Sequence, residues 1–139
     1  MVTFRKIERK DLEEIFPLLQ QLTEIDYSKR SLESCWNNFI SNTSSNSLVG
    51  IYNNKVVAYG SIVIENKIRG ELAGYIEDIV VDKSVRGKSV GTNLIKELLN
   101  IAKEKLCYRV TLTCNDNLIK FYEGCGFSVG QKSMKIYLK

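Results

Sequence analysis

Between Asp11 and Ile25 the apolar residues Leu12, Ile15, Phe16, Leu19 and Leu22 recur three and four positions apart, the spacing of one buried helix face, with Asp11 placed to cap it. Pro17 falls inside this stretch and predicts a kink or a fresh start, because proline removes a backbone donor and crowds the preceding turn. A second helix is expected from about Ser31 to Ile40, carrying Leu32, Cys35, Trp36 and Phe39. After the polar stretch Asn42–Ser47, the runs SLVGIY and KVVAYGSIVIE are β-rich and separated by Asn53 and Asn54, the pattern of a hairpin. Asn66 to Gly70 is a further polar connection, and ELAGYIEDIVVD is a third long strand. The basic loop KSVRGKSVG opens directly onto a helical pattern from Thr92 to Ala102. Tyr108 to Cys114 predicts another strand, Asp116 to Gly124 a short helix, and Phe127 to Leu138 a final strand.

The order β-α-α-β-β-β-α-β-α-β places antiparallel neighbours first and helical crossovers later, which implies a mixed α/β sheet with helices on both faces. The 139 residues suit one domain over 1–139, undivided by repeats or a long linker. No apolar run approaches the roughly 20 residues of a bilayer crossing. The opening Met1–Lys6 also lacks the apolar stretch of a signal peptide, so a soluble, cytoplasmic protein is expected. Cys35, Cys107, Cys114 and Cys125 are unevenly spaced, which suggests free thiols and neither a disulfide framework nor a metal site. Histidine is absent, which removes the Ser/His and Cys/His nucleophile systems and the usual neutral-pH base. With 20 Lys and Arg against 16 Asp and Glu the net charge is +4, too small and scattered for a nucleic-acid footprint but compatible with a small anionic ligand.

Candidate chemistry concentrates in Arg86-Gly87-Lys88-Ser89-Val90-Gly91. Between a strand and a helix, this loop offers backbone N–H groups, small residues, two cations and the positive end of a helix, the ingredients of a phosphate cradle. Such a turn can also do no more than cap a helix, and its spacing is neither GxxxxGK[ST] nor GxGxxG.

Taken together, the strand ending IEDIVVD, the loop RGKSVG and the later NxxLxxFYEGCGF resemble the GNAT superfamily of acetyl-CoA-dependent acyltransferases over nearly the whole chain. The resemblance implies a mostly antiparallel sheet in which the strand ending at Val81 and the strand Tyr108–Cys114 splay apart to form an acetyl-CoA cleft. It implies that Ile79, Val80 and Val81 pair through their main chain with the pantetheine amides, like an added strand. Arg86, Gly87, Lys88, Ser89, Val90, Gly91 and Thr92 are implied to receive the pyrophosphate. Ser89 stands where the family pattern usually has glycine, so a positive φ there costs strain. Asn115 is implied to contact the cofactor arm or to cap the next helix. Tyr122 is implied to face the cofactor sulfur, where a phenol supplies a hydrogen bond or a proton to the departing thiolate; the alternative is an aromatic packed beside Phe121 and Phe127.

Within the superfamily, GYIEDIVVD, CYRVTLTC and FYEGCGF resemble the glucosamine-6-phosphate N-acetyltransferases. That implies acetyl transfer from acetyl-CoA to the amine of an amino-sugar phosphate, directly in a ternary complex, since no histidine is present to activate Cys114. Substrate contacts are implied at Thr23, Lys67, Ile68, Arg69, Gly70, Glu77, Asp78, Tyr108 and Arg109, the carboxylates meeting hydroxyls and amine and the cations meeting phosphate. Thr113 stands where members commonly carry aspartate, in a segment whose backbone carbonyl is implied to orient or deprotonate the amine. Some members place an arginine near the phosphate at the C-terminus, where this chain has Tyr137 within Met134–Lys139, leaving Lys135 or Lys139 to substitute. The resemblance further implies a homodimer through the last strand, with Val129, Met134, Ile136 and Leu138 alternating along it and the sugar site shared. Another small amine, a protein N-terminus, or a non-catalytic acetyl-CoA-binding module stay open on the sequence.

Overall fold

The computed structural model describes residues 1–26 and 31–139. At Asn53 and Asn54 φ is +49° and +62°, the two left-handed positions of a type I′ turn, which asparagine tolerates. This turn sets the antiparallel register of β2 (Ser45–Tyr52) against β3 (Lys55–Asn66). β1 (Thr3–Lys6) pairs with the outer side of β2, and β4 (Leu72–Val81) with the far side of β3, both antiparallel. β5 (Arg109–Leu112) lies parallel to β4 and ends the sheet order β1-β2-β3-β4-β5.

Helices cover both faces, as the element order requires. On one face α3 (Val90–Glu104) buries Val90, Leu94, Ile95, Leu98 and Ala102 in a core with Ile62, Ile64 and Ile76 of the sheet. The opposite face carries α1 (Leu12–Leu19), whose Ile15 and Leu18 share a second core with Val49, Val56, Tyr59 and Val80. α2 (Leu32–Ile40) adds Leu32, Trp36 and Phe39 to that layer, and its N-cap Ser31 accepts the Ser34 N–H at 3.0 Å. The short α4 (Ile119–Gly124) follows β5.

Four expectations change. Pro17 lies inside α1 without breaking it, but the helix stops at Leu19 and leaves Leu22 about half exposed. Asp11 does not cap α1: its carboxylate accepts the Glu8 N–H at 2.7 Å and both Arg5 guanidinium nitrogens at 2.8 Å, closing the 3-10 turn Arg9–Asp11 that precedes the helix. The strand predicted over Tyr108–Cys114 is four residues long, because Tyr108 only donates to Leu72 and pairing ends at Leu112. The final strand predicted from Phe127 to Leu138 is absent from the single chain; residues 128–139 are exposed and irregular. Alternation supplies the face of a strand there, but no backbone partner among the described residues completes it. All four cysteines are free, and among the described residues no helix is long and apolar enough to cross a membrane.

Candidate active site

β4 and β5 pair from Ala73↔Arg109 to Ile76↔Leu112 and then part. Beyond this point Glu77, Val80 and Val81 still pair with β3 on one side, while among the described residues no strand lies on their other side. Here β4 also carries a bulge: Tyr59 opposes Val80 and Ser61 opposes Glu77, so Gly60 alone faces Asp78 and Ile79. Asp78 takes φ +57°, a left-handed conformation that costs strain outside glycine and collects at functional sites. The bulge shifts side-chain parity. Ile76 and Ile79 both belong to the α3 layer and Val80 to the α1 layer, and Glu77 and Asp78 are left at the parting of the strands. Ile79, Val80 and Val81 lie on β4 past its last rung with β5, and the Val81 carbonyl accepts from Arg86 Nε at 3.1 Å.

The loop after β4 begins with the 3-10 turn Lys83–Val85, where Asp82 accepts the Ser84 N–H at 3.1 Å and Val85 is buried as an anchor. Gly87 has φ +80°, and Ser89 has φ +61° and ψ +17°. The strain anticipated at Ser89 is therefore real, and serine stands at a left-handed N-cap without making a capping bond. Asn93 N–H is the first to return to the loop, reaching the Ser89 carbonyl at 3.0 Å. The amides of Val90, Gly91 and Thr92 stand at the helix start without carbonyl partners among the described residues. Arg86 and Lys88 flank them. Gly91 has a second duty: a Cβ there would lie 3.2 Å from Phe121 Cζ, so its small size lets α4 press against the start of α3. Burial pushes the Cys125 thiol up, partly offset by the neighbouring Thr92.

Tyr122 is 8% exposed and packs edge-on against both Phe121 and Phe127, at 4.9 and 6.0 Å between ring centroids. The packed-aromatic reading and the catalytic one are thus compatible. No buried side-chain polar atom among the described residues lacks a partner, so the Tyr122 hydroxyl, which has no hydrogen bond among them, emerges at the surface of its pocket. Burial, with Cys114 and Cys125 nearby, holds its pKa above the ordinary phenol value, and it stays a proton donor at neutral pH. Asn115 precedes the 3-10 turn Asp116–Leu118 and makes no capping bond with its side chain; the capping alternative is not realised. Thr113 lies one residue past the last β4–β5 rung and accepts a hydrogen bond from the Tyr75 hydroxyl at 3.0 Å.

Burial, reinforced for Glu77 by its neighbour Asp78, raises the pKa of both carboxyls. A buried hydroxyl chain that the sequence reading missed lies on the same sheet face: Tyr59 to Ser47 at 2.8 Å and Ser47 to Ser61 at 3.1 Å, with Ser61 the register partner of Glu77. Alternate polar residues on facing strands were the signal for it. Thr23 is exposed in the turn after α1, and Gln21 ties that turn to Asp82 at 2.9 Å, at the cleft end of β4.

The expected phosphate contacts gather at the other end of β4. Arg69 and Arg109 lie over the Tyr108 ring, 5.3 and 5.2 Å from its centroid, and Arg69 also bonds the Tyr108 hydroxyl. Lys67 and Arg69 are each paired, with Glu65 at 3.0 Å and Glu71 at 2.8 Å, in the turn where Ile68 is fully exposed and Gly70 takes φ +95°. Since Arg109 opposes Ala73, this cluster lies four residues, about 13 Å, from Glu77 along the sheet. Among the described residues no group of three or more Cys, Asp and Glu could hold a metal.

A strand pair that parts beside a helix start suited to phosphate, with two carboxylates at the parting and a buried phenol beyond β5, is compatible with a group-transfer enzyme that takes a phosphorylated cosubstrate. The model of the Acetyltransferase (GNAT) family matches residues 10–127, and the chain belongs to that family. It is 34% identical to glucosamine 6-phosphate N-acetyltransferase 1 of Dictyostelium discoideum, covering 99% of this chain and 91% of that protein. Against the Candida albicans glucosamine 6-phosphate N-acetyltransferase it is 36% identical over 95% of this chain and 93% of the relative. The crystal structure of glucosamine-6-phosphate N-acetyltransferase from Arabidopsis thaliana superposes with a TM-score of 0.91 at 32% identity, covering 100% of this chain and 99% of that one.

Proposed function

We propose that the protein transfers the acetyl group of acetyl-CoA to the amino group of D-glucosamine 6-phosphate, giving N-acetyl-D-glucosamine 6-phosphate and CoA in the cytoplasm. The observation that supports this best is the parting of β4 and β5 at Glu77, Asp78 and Thr113, followed in the chain by a helix start suited to phosphate, with Tyr122 near Cys114, just beyond β5. The free amides at Val90, Gly91 and Thr92, with Arg86 and Lys88, suit the pyrophosphate, and the open side of Glu77–Val81 suits the pantetheine amides. The two carboxylates hold the amine and sugar hydroxyls, and the Thr113 segment orients the nitrogen. Attack of the neutral amine on the thioester carbonyl forms the C–N bond, the C–S bond breaks, Tyr122 gives its proton to the leaving thiolate, and the proton shed by the acylated nitrogen passes through solvent to restore the phenol.

Arg69, Tyr108 and Arg109 supply the phosphate contact in a homodimer that shares its sugar sites. Support for the dimer comes from the exposed C-terminal segment, where Val129, Met134, Ile136 and Leu138 are 71–95% exposed, and from the outer edge of β5, which has no strand beside it. A cavity of about 390 Å³ there, lined by residues including Leu99, Cys107, Val110 and Phe127, fits an apolar strand from a second copy.

Thiol release from acetyl-CoA, followed with glucosamine 6-phosphate, glucosamine, spermidine and a short peptide, tests the reaction. Rapid release only with the phosphorylated sugar is expected. Turnover with another amine in its place would overturn the acceptor while leaving the cofactor chemistry standing. Light scattering after size exclusion should give twice the 15.9 kDa chain, and a purely monomeric species would remove the dimer.

A further inference from the structure

Tyr75 has no part in the phosphate loop, the carboxylate pair or the thiolate-protonating group, yet its position is a constrained one. It is the register partner of Thr111, and its hydroxyl reaches forward to Thr113 Oγ1 at 3.0 Å. The phenol therefore straps across the last rung of the β4–β5 ladder, Ile76↔Leu112, on the face of the sheet that also carries Glu77 two residues on. No strand bond holds Thr113, because pairing ends one residue before it. Tyr75 is 38% exposed, so its ring stands partly open on the Glu77 face rather than in the core.

We infer that Tyr75 is a positioning residue of the acceptor site: its hydroxyl pins Thr113 at the parting of β4 and β5, and its ring forms the floor over which the acceptor amine approaches Glu77. The hydrogen bond runs from the phenol to the threonine oxygen, so the Thr113 hydroxyl keeps its own hydrogen for the acceptor. Without the strap the last residues of β5 lose a side-chain tie to β4, and the amine-orienting segment loses its fixed distance from the carboxylates, a loss that falls on the rate rather than on folding. This rests on the proposed reaction for the identity of the amine only.

The test is steady-state kinetics on Tyr75→Phe, Thr113→Val, the double variant and Thr113→Ser, with acetyl-CoA and glucosamine 6-phosphate. Each of the first two variants should lower kcat by about fivefold, the worth of one neutral hydrogen bond. The double variant should fall no further than about sevenfold because both changes remove the same bond. Thr113→Ser should recover most of the Thr113→Val loss. KM for acetyl-CoA and Tm should stay put in all four, whereas a merely structural role would move both. Wild-type kcat in Tyr75→Phe, or a loss of about 25-fold in the double variant, the product of independent effects, would overturn the inference. Absence of wild-type turnover with glucosamine 6-phosphate would instead fault the acceptor, and the same cycle would then be read with the amine that the acceptor panel returns.

Discussion

Gly60 faces the two-residue bulge of β4, and a methyl group added there measures how tightly the cleft wall is held. A Cβ on Gly60 would lie 2.7 Å from Ile79 Cδ1, 3.1 Å from Leu98 Cδ1 and 3.2 Å from Leu94 Cδ2. Carbon atoms rest at about 3.5–4.0 Å, so the methyl collides from three directions at once. Overpacking of this kind costs typically about 1–3 kcal/mol. The colliding atoms are side-chain tips, and Ile79 can swing, which favours the lower half of that range. Against it stands the stiffer unfolded chain: the backbone of Gly60 does not take a positive φ, so alanine there gains about 0.4–1 kcal/mol.

The net expectation for Gly60→Ala is a loss of about 1 kcal/mol, read as a Tm lower by about 4 °C. Because Ile79 is both the first atom struck and part of the cleft border, KM for acetyl-CoA should rise by about threefold, a small loss of binding. Ile79→Val removes the struck Cδ1 and alone costs about 1 kcal/mol. If the collision is the cause, Gly60→Ala/Ile79→Val should be less destabilised than the sum of its parts by about 0.5 kcal/mol or more. Thermal denaturation of the four proteins decides the matter. A neutral or stabilising Gly60→Ala, or strict additivity with Ile79→Val, would refute the reasoning.

Asp11→Asn should lower Tm by about 8 °C, the equivalent of about 2 kcal/mol, because it strips the carboxylate from a buried site held by Arg5 and the Glu8 amide. Burial works against that charge, but these bonds hold the Asp11 carboxyl below its ordinary value; its contribution is present above the unfolded-state pKa of about 3.9 and lost as pH falls through the lower folded value, so the variant and wild type should converge in acid melts. Ser89→Gly should raise Tm by about 2 °C, since about 1 kcal/mol or more of left-handed strain outweighs the added chain entropy; a fall would mean that the serine side chain contributes a bond of its own. Tyr122→Phe should cut kcat by about 10²-fold with KM for acetyl-CoA unchanged, and an unaltered kcat would remove the phenol from thiolate protonation.

Much of the fold was legible because it is encoded locally. Asn53-Asn54 admits the two left-handed residues a tight hairpin requires, Ser31 marks the start of α2, and Val90, Leu94, Leu98 and Ala102 trace one helix face. What local pattern misread was the C-terminal segment, whose alternating residues describe a strand face but carry no information about whether a backbone partner lies beside it. The cluster of Arg69, Tyr108 and Arg109 was legible as charge but not as a stacked group, since it depends on β4 and β5 lying in parallel register. The strain at Ser89 could be posed from sequence as a question, and the value of φ answered it.

The centre of the site depends on the feature least visible to periodicity. An unbroken two-residue period through β4 would set Tyr75, Glu77, Ile79 and Val81 on one face and Ile76, Asp78 and Val80 on the other, separating the two carboxylates and driving Asp78 toward α3. The bulge at Asp78 resets the count, so that Ile76 and Ile79 share the α3 core while Val80 turns to the α1 side beside Tyr59. Both carboxylates then stay at the parting of the strands, at the cost of a left-handed aspartate and of a glycine at position 60 with no room for a methyl group. The motif IED could suggest a pair of carboxylates; only the extra residue in β4, set against Gly60, explains how two neighbours in sequence come to lie together where the strands part.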